Sequence, residues 1–161
     1  MEWDEIRKRA ERVITRATEK GWWLTCAESC TGGLVAAELT AIPGASAAFL
    51  GGVVSYDNRI KEGVLGVAQE TLARFGAVSS ECAAEMAAGV RRLMKADCAV
   101  SITGIAGPGG GTPEKPVGLV HFGLASPAGT RTACCHFTGD RAAIRRQAVA
   151  FALGELENAL K

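Results

Sequence analysis

Three short apolar runs, each followed by a polar or glycine-rich break and then a helix-periodic segment, set the fold class of this chain. The runs are residues 22–28 (Trp-Trp-Leu-Thr-Cys-Ala-Glu), 47–56 (Ala-Ala-Phe-Leu-Gly-Gly-Val-Val-Ser-Tyr) and 97–103 (Asp-Cys-Ala-Val-Ser-Ile-Thr). Apolar runs this short, bounded by breakers, read as buried strands. Helical spacing fills the rest. Ile6, Ala10, Val13, Ile14 and Ala17 recur at three- and four-residue steps over 4–20, and Gly21 closes that helix. A second helix is expected over 32–41, stopped by Pro43-Gly44. Asn58 is expected to cap a short helix reaching Leu65, residues 69–75 add a turn or two, and Ser79 or Ser80 opens a longer helix to Lys95. Strands that alternate with helices predict a parallel sheet.

The last third departs from that rhythm. Residues 117–125 and 130–137 are two strand-like runs joined by Ser126-Pro127-Ala128-Gly129, which is turn chemistry, so they form an antiparallel hairpin. Asp140 caps a final helix over 141–159, whose apolar set includes Ile144, Ala148, Phe151, Ala152, Leu156 and Leu160. The expected fold is α/β: a three-layer α/β/α sandwich with a mixed, mostly parallel five-stranded sheet ending in an antiparallel hairpin. The glycine- and proline-rich stretch 104–116 is too short to divide two domains, so residues 1–161 are expected to form one. Trp22 and Trp23 are neighbours on a strand and point to opposite faces, so one of them and not both belongs in the core.

Composition removes several functions. Lys plus Arg is 18 against 17 Asp plus Glu, and aromatic residues are 6%, so there is neither a basic field nor a set of stacking platforms for nucleic acid. No apolar run approaches the roughly 18 to 20 residues that span a bilayer, so no membrane association is expected. Met1 to Arg12 is charged and lacks an apolar signal region, so a cytoplasmic location is expected. The six cysteines, at 26, 30, 82, 98, 134 and 135, form no C-x-x-C pair and have no histidine beside Cys26 and Cys30, so zinc spacing is absent and no metal is expected. The only histidines, His121 and His136, fall inside expected strands, so the chemistry calls for another base.

Ligands of open α/β sheets bind beyond the carboxyl ends of the parallel strands. Here those ends are Glu28-Ser29, Tyr56-Asp57-Asn58 and Thr103-Gly104, and parallel strands bring them to one edge. Ser29 falls on a strand-to-helix turn, and the amides of Thr31, Gly32 and Gly33 suit a phosphate or an oxyanion. The same pattern also describes an N-cap serine followed by glycines needed for packing. Lys61, in the first turn of its helix, is a general base for a serine if the helix end and burial lower its pKa, and otherwise a solvated surface lysine. Tyr56 is placed to relay a proton or orient a substrate. Gly104 and Gly109 have P-loop spacing, but Gly110 and Gly111 stand where Lys and Ser or Thr are required, so that motif is excluded. Arg141 and Arg145 share a helix face and meet either a phosphate or an acid such as Asp140.

Taken in order, Ala27-Glu28-Ser29-Cys30-Thr31-Gly32-Gly33, Val54-Ser55-Tyr56-Asp57-Asn58 with Lys61, and Ile102-Thr103-Gly104-Ile105-Ala106-Gly107-Pro108 resemble the CinA C-terminal domain family. Lys115-Pro116-Val117-Gly118 and the helix with Arg141 and Arg145 extend the resemblance over about 5–160. It implies nicotinamide mononucleotide deamidase activity in pyridine nucleotide salvage: hydrolysis of the carboxamide to nicotinate mononucleotide and ammonia, without metal or cofactor. It implies Ser29 as nucleophile with Lys61 and Tyr56 assisting. Glu28, Thr103, Gly104 and the amides of Thr31 to Gly33 then line the substrate site, and Arg141 and Arg145 hold the phosphate. The implied partner is a small mononucleotide, and the implied assembly a homodimer or higher homo-oligomer. Longer family members add an amino-terminal domain resembling molybdopterin-binding folds. This chain resembles the stand-alone form, so no role in competence is carried over. A nucleotide-binding or regulatory module without chemistry would use the same pocket, but it needs neither Ser29 nor Lys61.

Overall fold

The structure is a computed structural model that describes all 161 residues. Its frame is a five-stranded sheet of β1 (Leu24–Glu28), β2 (Phe49–Val54), β3 (Cys98–Gly104), β4 (Leu119–Ser126) and β5 (Gly129–His136), in the order β2-β1-β3-β4-β5. β1 pairs in parallel with both β2 and β3, whereas β3–β4 and β4–β5 are antiparallel. Only β4 therefore runs against the others. Around the sheet lie α1 (Trp3–Lys20), α2 (Leu34–Thr40), α3 (Asn58–Gly63), α4 (Gln69–Phe75), α5 (Ser80–Met94) and α6 (Arg141–Ala159). The mixed sheet between helices is the expected architecture, and none of the helices is long and apolar enough to cross a membrane.

Strand alternation divides the interior in two. Leu24 and Cys26, Cys98, Val100 and Ile102, and Val120, Phe122 and Leu124 face α1, α2 and α6 in a core of 27 buried residues. Ala27, Ala99 and Ala125 face α5 in a smaller core of nine. The larger side is filled by bulky residues, with Phe122 and Phe151 at a centroid distance of 4.5 Å. The smaller side is built by close approach instead. At Gly123 a Cβ would sit 2.3 Å from the Ala83 carbonyl oxygen, so only glycine lets α5 lie this near β4. At Gly89 a Cβ would sit 1.9 Å from the Leu65 oxygen, which draws the chain after α3 against α5 in the same way.

Element ends depart from expectation for local reasons. β1 starts at Leu24, because Trp22 still donates to the Ala17 carbonyl in the α1 cap and the Trp23 amide donates to the Asp97 carboxylate. Trp22 packs on the core and Trp23 is 41% exposed, so one of the pair is inside. A 3-10 turn at Ala45–Ala47 delays β2 to Phe49. Asp57, not Asn58, caps α3 by accepting from the Arg59 amide, and that helix ends at Gly63. Ser79, not Ser80, caps α5.

Candidate active site

The three parallel strand ends converge as their polarity requires. Past Glu28 the Ser29 amide donates to the Ile102 carbonyl at 3.0 Å, which carries the β1–β3 pairing one step further. On the other side the Ser55 amide donates to the Glu28 carbonyl at 2.7 Å. The segment leading from β2 into α3 is thereby held beside Ser29. α3 then sends Lys61 back beneath this junction. Its Nζ lies 3.0 Å from Ser29 Oγ, 2.6 Å from the Ser55 carbonyl oxygen and 3.3 Å from that of Tyr56.

Lys61 is among the largest fully buried side chains of the protein, 1% exposed, and it makes no ion pair. Burial pushes its pKa below the ordinary lysine value, with Cys82, Cys30 and Asp57 acting weakly in the opposite sense. This corrects the expected cause. α3 has only six residues and Lys61 sits in its last turn, so the helix end does not account for the shift. A neutral amine has two N–H bonds and one lone pair. In its neutral form Lys61 can give its two N–H bonds to the two carbonyls and turn its lone pair to the Ser29 hydroxyl. Cys30, the neighbouring thiol, is pushed up to about 11 by burial, and it is the Ser29 hydroxyl, not this thiol, that meets the Lys61 amine.

Tyr56 stands apart from this pair. Its ring is 62% exposed and its hydroxyl accepts from Arg141 Nη2 at 3.3 Å. Only its backbone carbonyl meets Lys61, so the expected proton relay through the phenol gives way to direct contact between Lys61 and Ser29.

Glu28 points away from the cavity. Its carboxylate, 1% exposed, accepts from the Val35 amide at 2.9 Å and the Ala36 amide at 3.1 Å, and the Cys26 thiol lies 3.7 Å away. It therefore caps α2 from β1, and that helix starts at Leu34 rather than at residue 32. Gly32 and Gly33 adopt left-handed φ angles of 60° and 105°, and the Gly32 amide donates to the Ser29 carbonyl. Of the three amides expected as an anion cradle, only that of Gly32 is engaged, and those of Thr31 and Gly33 have no protein acceptor. The amides of Cys30 and Thr31 have no protein acceptor, and Cys30 lines the cavity. An amide directly after a nucleophile is where a strand-to-helix elbow supplies an oxyanion donor.

Arg141 and Arg145 part company. Arg141 lines the cavity and donates to the Gly107 carbonyl at 2.7 Å. Arg145 instead donates to the carbonyls of Cys30 at 3.0 Å and Thr31 at 3.2 Å, bracing the turn that carries Ser29. Asp140 pairs with neither, because it caps α6 at the Ala143 amide. Thr103 is buried and donates to the Ala77 carbonyl at 2.8 Å, fixing the wall that leads into α5.

The resulting cavity measures about 300 Å³ and has no aspartate or glutamate in its wall. Ser29, Lys61, Tyr56, Thr103, Gly104 and Arg141 all line it, whereas Glu28, Thr31, Gly32, Gly33 and Arg145 do not. Across from Ser29, the amides of Ala106 and Gly107 also have no protein acceptor. Asn58 lines the wall too, a residue read from sequence only as a cap. The available signal was its spacing, since it lies three residues before Lys61 on one helix face. No three His, Cys, Asp or Glu side chains gather to hold a metal ion.

Comparison with known proteins follows from this geometry. The CinA C-terminal domain family model matches residues 6–160. The chain is 55% identical over 135 residues to nicotinamide-nucleotide amidohydrolase PncC of Enterobacter agglomerans, covering 83% of this chain and 82% of that protein. It is 53% identical over 149 residues to a CinA-like protein of Anaeromyxobacter dehalogenans, covering 92% of this chain and 36% of that protein, so it spans about a third of the longer relative. The crystal structure of the competence/damage inducible protein CihA of Agrobacterium tumefaciens superposes with a TM-score of 0.94 at 46% identity, covering 97% of this chain and 95% of that one.

Proposed function

This chain belongs to the CinA C-terminal domain family, and from that premise we propose that it hydrolyses the carboxamide of nicotinamide mononucleotide to nicotinate mononucleotide and ammonia. One observation carries the reading: a buried lysine without a counter-ion lies 3.0 Å from a serine hydroxyl at the mouth of the cavity. A module that only binds nucleotides has no use for an amine held this way. The name of the Enterobacter agglomerans relative supports the substrate.

Lys61 accepts the Ser29 proton as Oγ attacks the carboxamide carbon, forming a C–O bond and a tetrahedral oxyanion. The Cys30 amide receives that oxyanion. One such donor typically contributes about 2.7–4 kcal/mol to the barrier reduction. Collapse breaks the C–N bond, and Lys61 returns its proton to the departing nitrogen, which leaves as ammonia. Water then gives a proton to Lys61 and attacks the acyl carbon. The ester bond breaks, and Ser29 Oγ recovers its proton as the nicotinate leaves. Arg141, with the free amides of Ala106 and Gly107, holds the phosphate. Tyr56 and Asn58 border the ring and the carboxamide.

The test is ammonia release from nicotinamide mononucleotide by wild type, Ser29→Ala and Lys61→Met. A fall of at least about 10²- to 10⁴-fold in both variants is expected, the usual contribution of a general base. Turnover that survives in Ser29→Ala removes the nucleophile assignment. A folded wild type that binds the mononucleotide without releasing ammonia leaves a binding module.

A further inference from the structure

The cavity beside Ser29 is not the only concave place that holds arginine without an acid. Seven of the twelve arginines make ion pairs with carboxylates. Of the other five, Arg141 and Arg145 belong to the site already described, and Arg74 lies over the Phe75 ring. Arg91 and Arg92 remain. With Lys95 they line a groove of about 470 Å³ at the carboxyl end of α5, closed on its other side by Ala125 and Thr130 of the β4–β5 hairpin. No acid lines it.

The Asp97 carboxylate, just past the end of α5, accepts from the Trp23 amide at 2.7 Å and pairs with none of the three cations. The Asp97 carbonyl also takes Arg91 Nε at 2.9 Å, which fixes the guanidinium and leaves its two terminal nitrogens free. The end of a helix offers about half a negative charge, well short of three cations. Lys95 adds a second departure. It is the only non-glycine residue with a positive φ, 53°, at the helix cap where glycine is the usual choice. This backbone conformation suits glycine better than lysine.

We propose that this groove binds a small anion carrying at least two negative charges, of the phosphate or pyrophosphate kind. The anion lies between the Arg91 and Arg92 guanidiniums and the Lys95 ammonium, with the Thr130 hydroxyl as a further donor. Arginine forks match phosphate oxygens two at a time, and the absence of acids leaves the anion to neutralise the groove. The site is separate from the catalytic cavity and stands whether or not the proposed deamidation is correct. α5 links the two. Its 15 residues run about 22 Å, from the Ala77–Val78 wall of the cavity to the groove.

The experiment is calorimetric titration of pyrophosphate at fixed ionic strength into wild type, Arg92→Ala, Lys95→Gly and Arg141→Ala. Lys95→Gly removes a charge while relieving the backbone, so this variant melts no lower than wild type and its effect is not one of unfolding. Saturable binding to wild type is expected. Binding in the groove should weaken about tenfold or more in Arg92→Ala and in Lys95→Gly, in line with the loss of one charged contact, and should persist in Arg141→Ala, which removes only what the catalytic cavity itself takes. Binding lost in Arg141→Ala but kept in the other two would place the anion in the catalytic cavity and overturn the proposal. Absence of saturable binding to wild type would do the same.

Discussion

Glu28 offers the sharpest test of how the turn that carries Ser29 is held. Its buried carboxylate takes the Val35 and Ala36 amides at 2.9 and 3.1 Å, and no other side chain caps that end of α2. In Glu28→Ala both amides lose a charged acceptor, each such bond being worth about 1.5–3 kcal/mol, for a total of roughly 3–6 kcal/mol. For a domain of this size that lowers the melting temperature by about 6–24 °C. Glu28→Gln keeps one acceptor oxygen but turns its NH₂ towards the second amide, so about half the loss is expected. Thermal unfolding followed by circular dichroism measures both. The assay gains specificity from rescue. Formate at about 0.1 M can enter the space vacated in Glu28→Ala and accept from the same amides, so it should raise that variant's melting temperature more than chloride at equal ionic strength. Melting of both variants within 2 °C of wild type, or equal effects of formate and chloride, would refute the assignment of Glu28 as the cap of α2.

Further expectations concern the site and its supports. Because burial lowers the Lys61 pKa, kcat/KM should rise with pH and level off below the pH of about 10.4 at which an ordinary lysine titrates, and Lys61→Met should abolish the dependence. Stability follows the same sign. The unfolded chain holds the Lys61 proton more tightly, so the penalty of burying it is complete below the folded pKa and vanishes above about pH 10.4. Urea unfolding should therefore show wild type gaining on Lys61→Met as pH rises through that window. Arg141→Ala should raise KM for the mononucleotide, whereas Arg145→Ala, which frees the Cys30 and Thr31 carbonyls, should lower kcat. Gly89→Ala should destabilise by about 3 kcal/mol in urea despite alanine's better helix propensity, because its Cβ meets the Leu65 backbone. A stabilised variant would show that α5 sits farther from Leu65.

What the sequence revealed depended on how far each signal reaches. Apolar periodicity and turn residues located every strand and helix, because those signals are local. They misplaced the starts of β1 and β2, where Trp22 and Ala47 look like strand residues but are held by the α1 cap and a 3-10 turn. The convergence of Ser29, Lys61 and Thr103 was legible from the rule that parallel strands bring their carboxyl ends together. The directions of side chains were not. Nothing in the spacing says that Glu28 turns back to α2, that Arg145 grips the turn while Arg141 faces the cavity, or that the Tyr56 ring swings outwards. Those choices rest on contacts between segments up to 115 residues apart.

The order of the strands has a consequence for how such a protein can change. Ser29 and Lys61 both lie within the continuous stretch formed by β1, α2, β2 and α3, and the carbonyls that hold the amine come from the same stretch. The opposite wall of the cavity and Arg141 are supplied by chain beyond residue 76. The proposed reacting pair and most of the wall opposite it thus lie in separate blocks of sequence. Changes in the loop after β3 or at the start of α6 would reshape that wall, and under the proposed reaction the substrate it accepts, while leaving Ser29 and Lys61 in place.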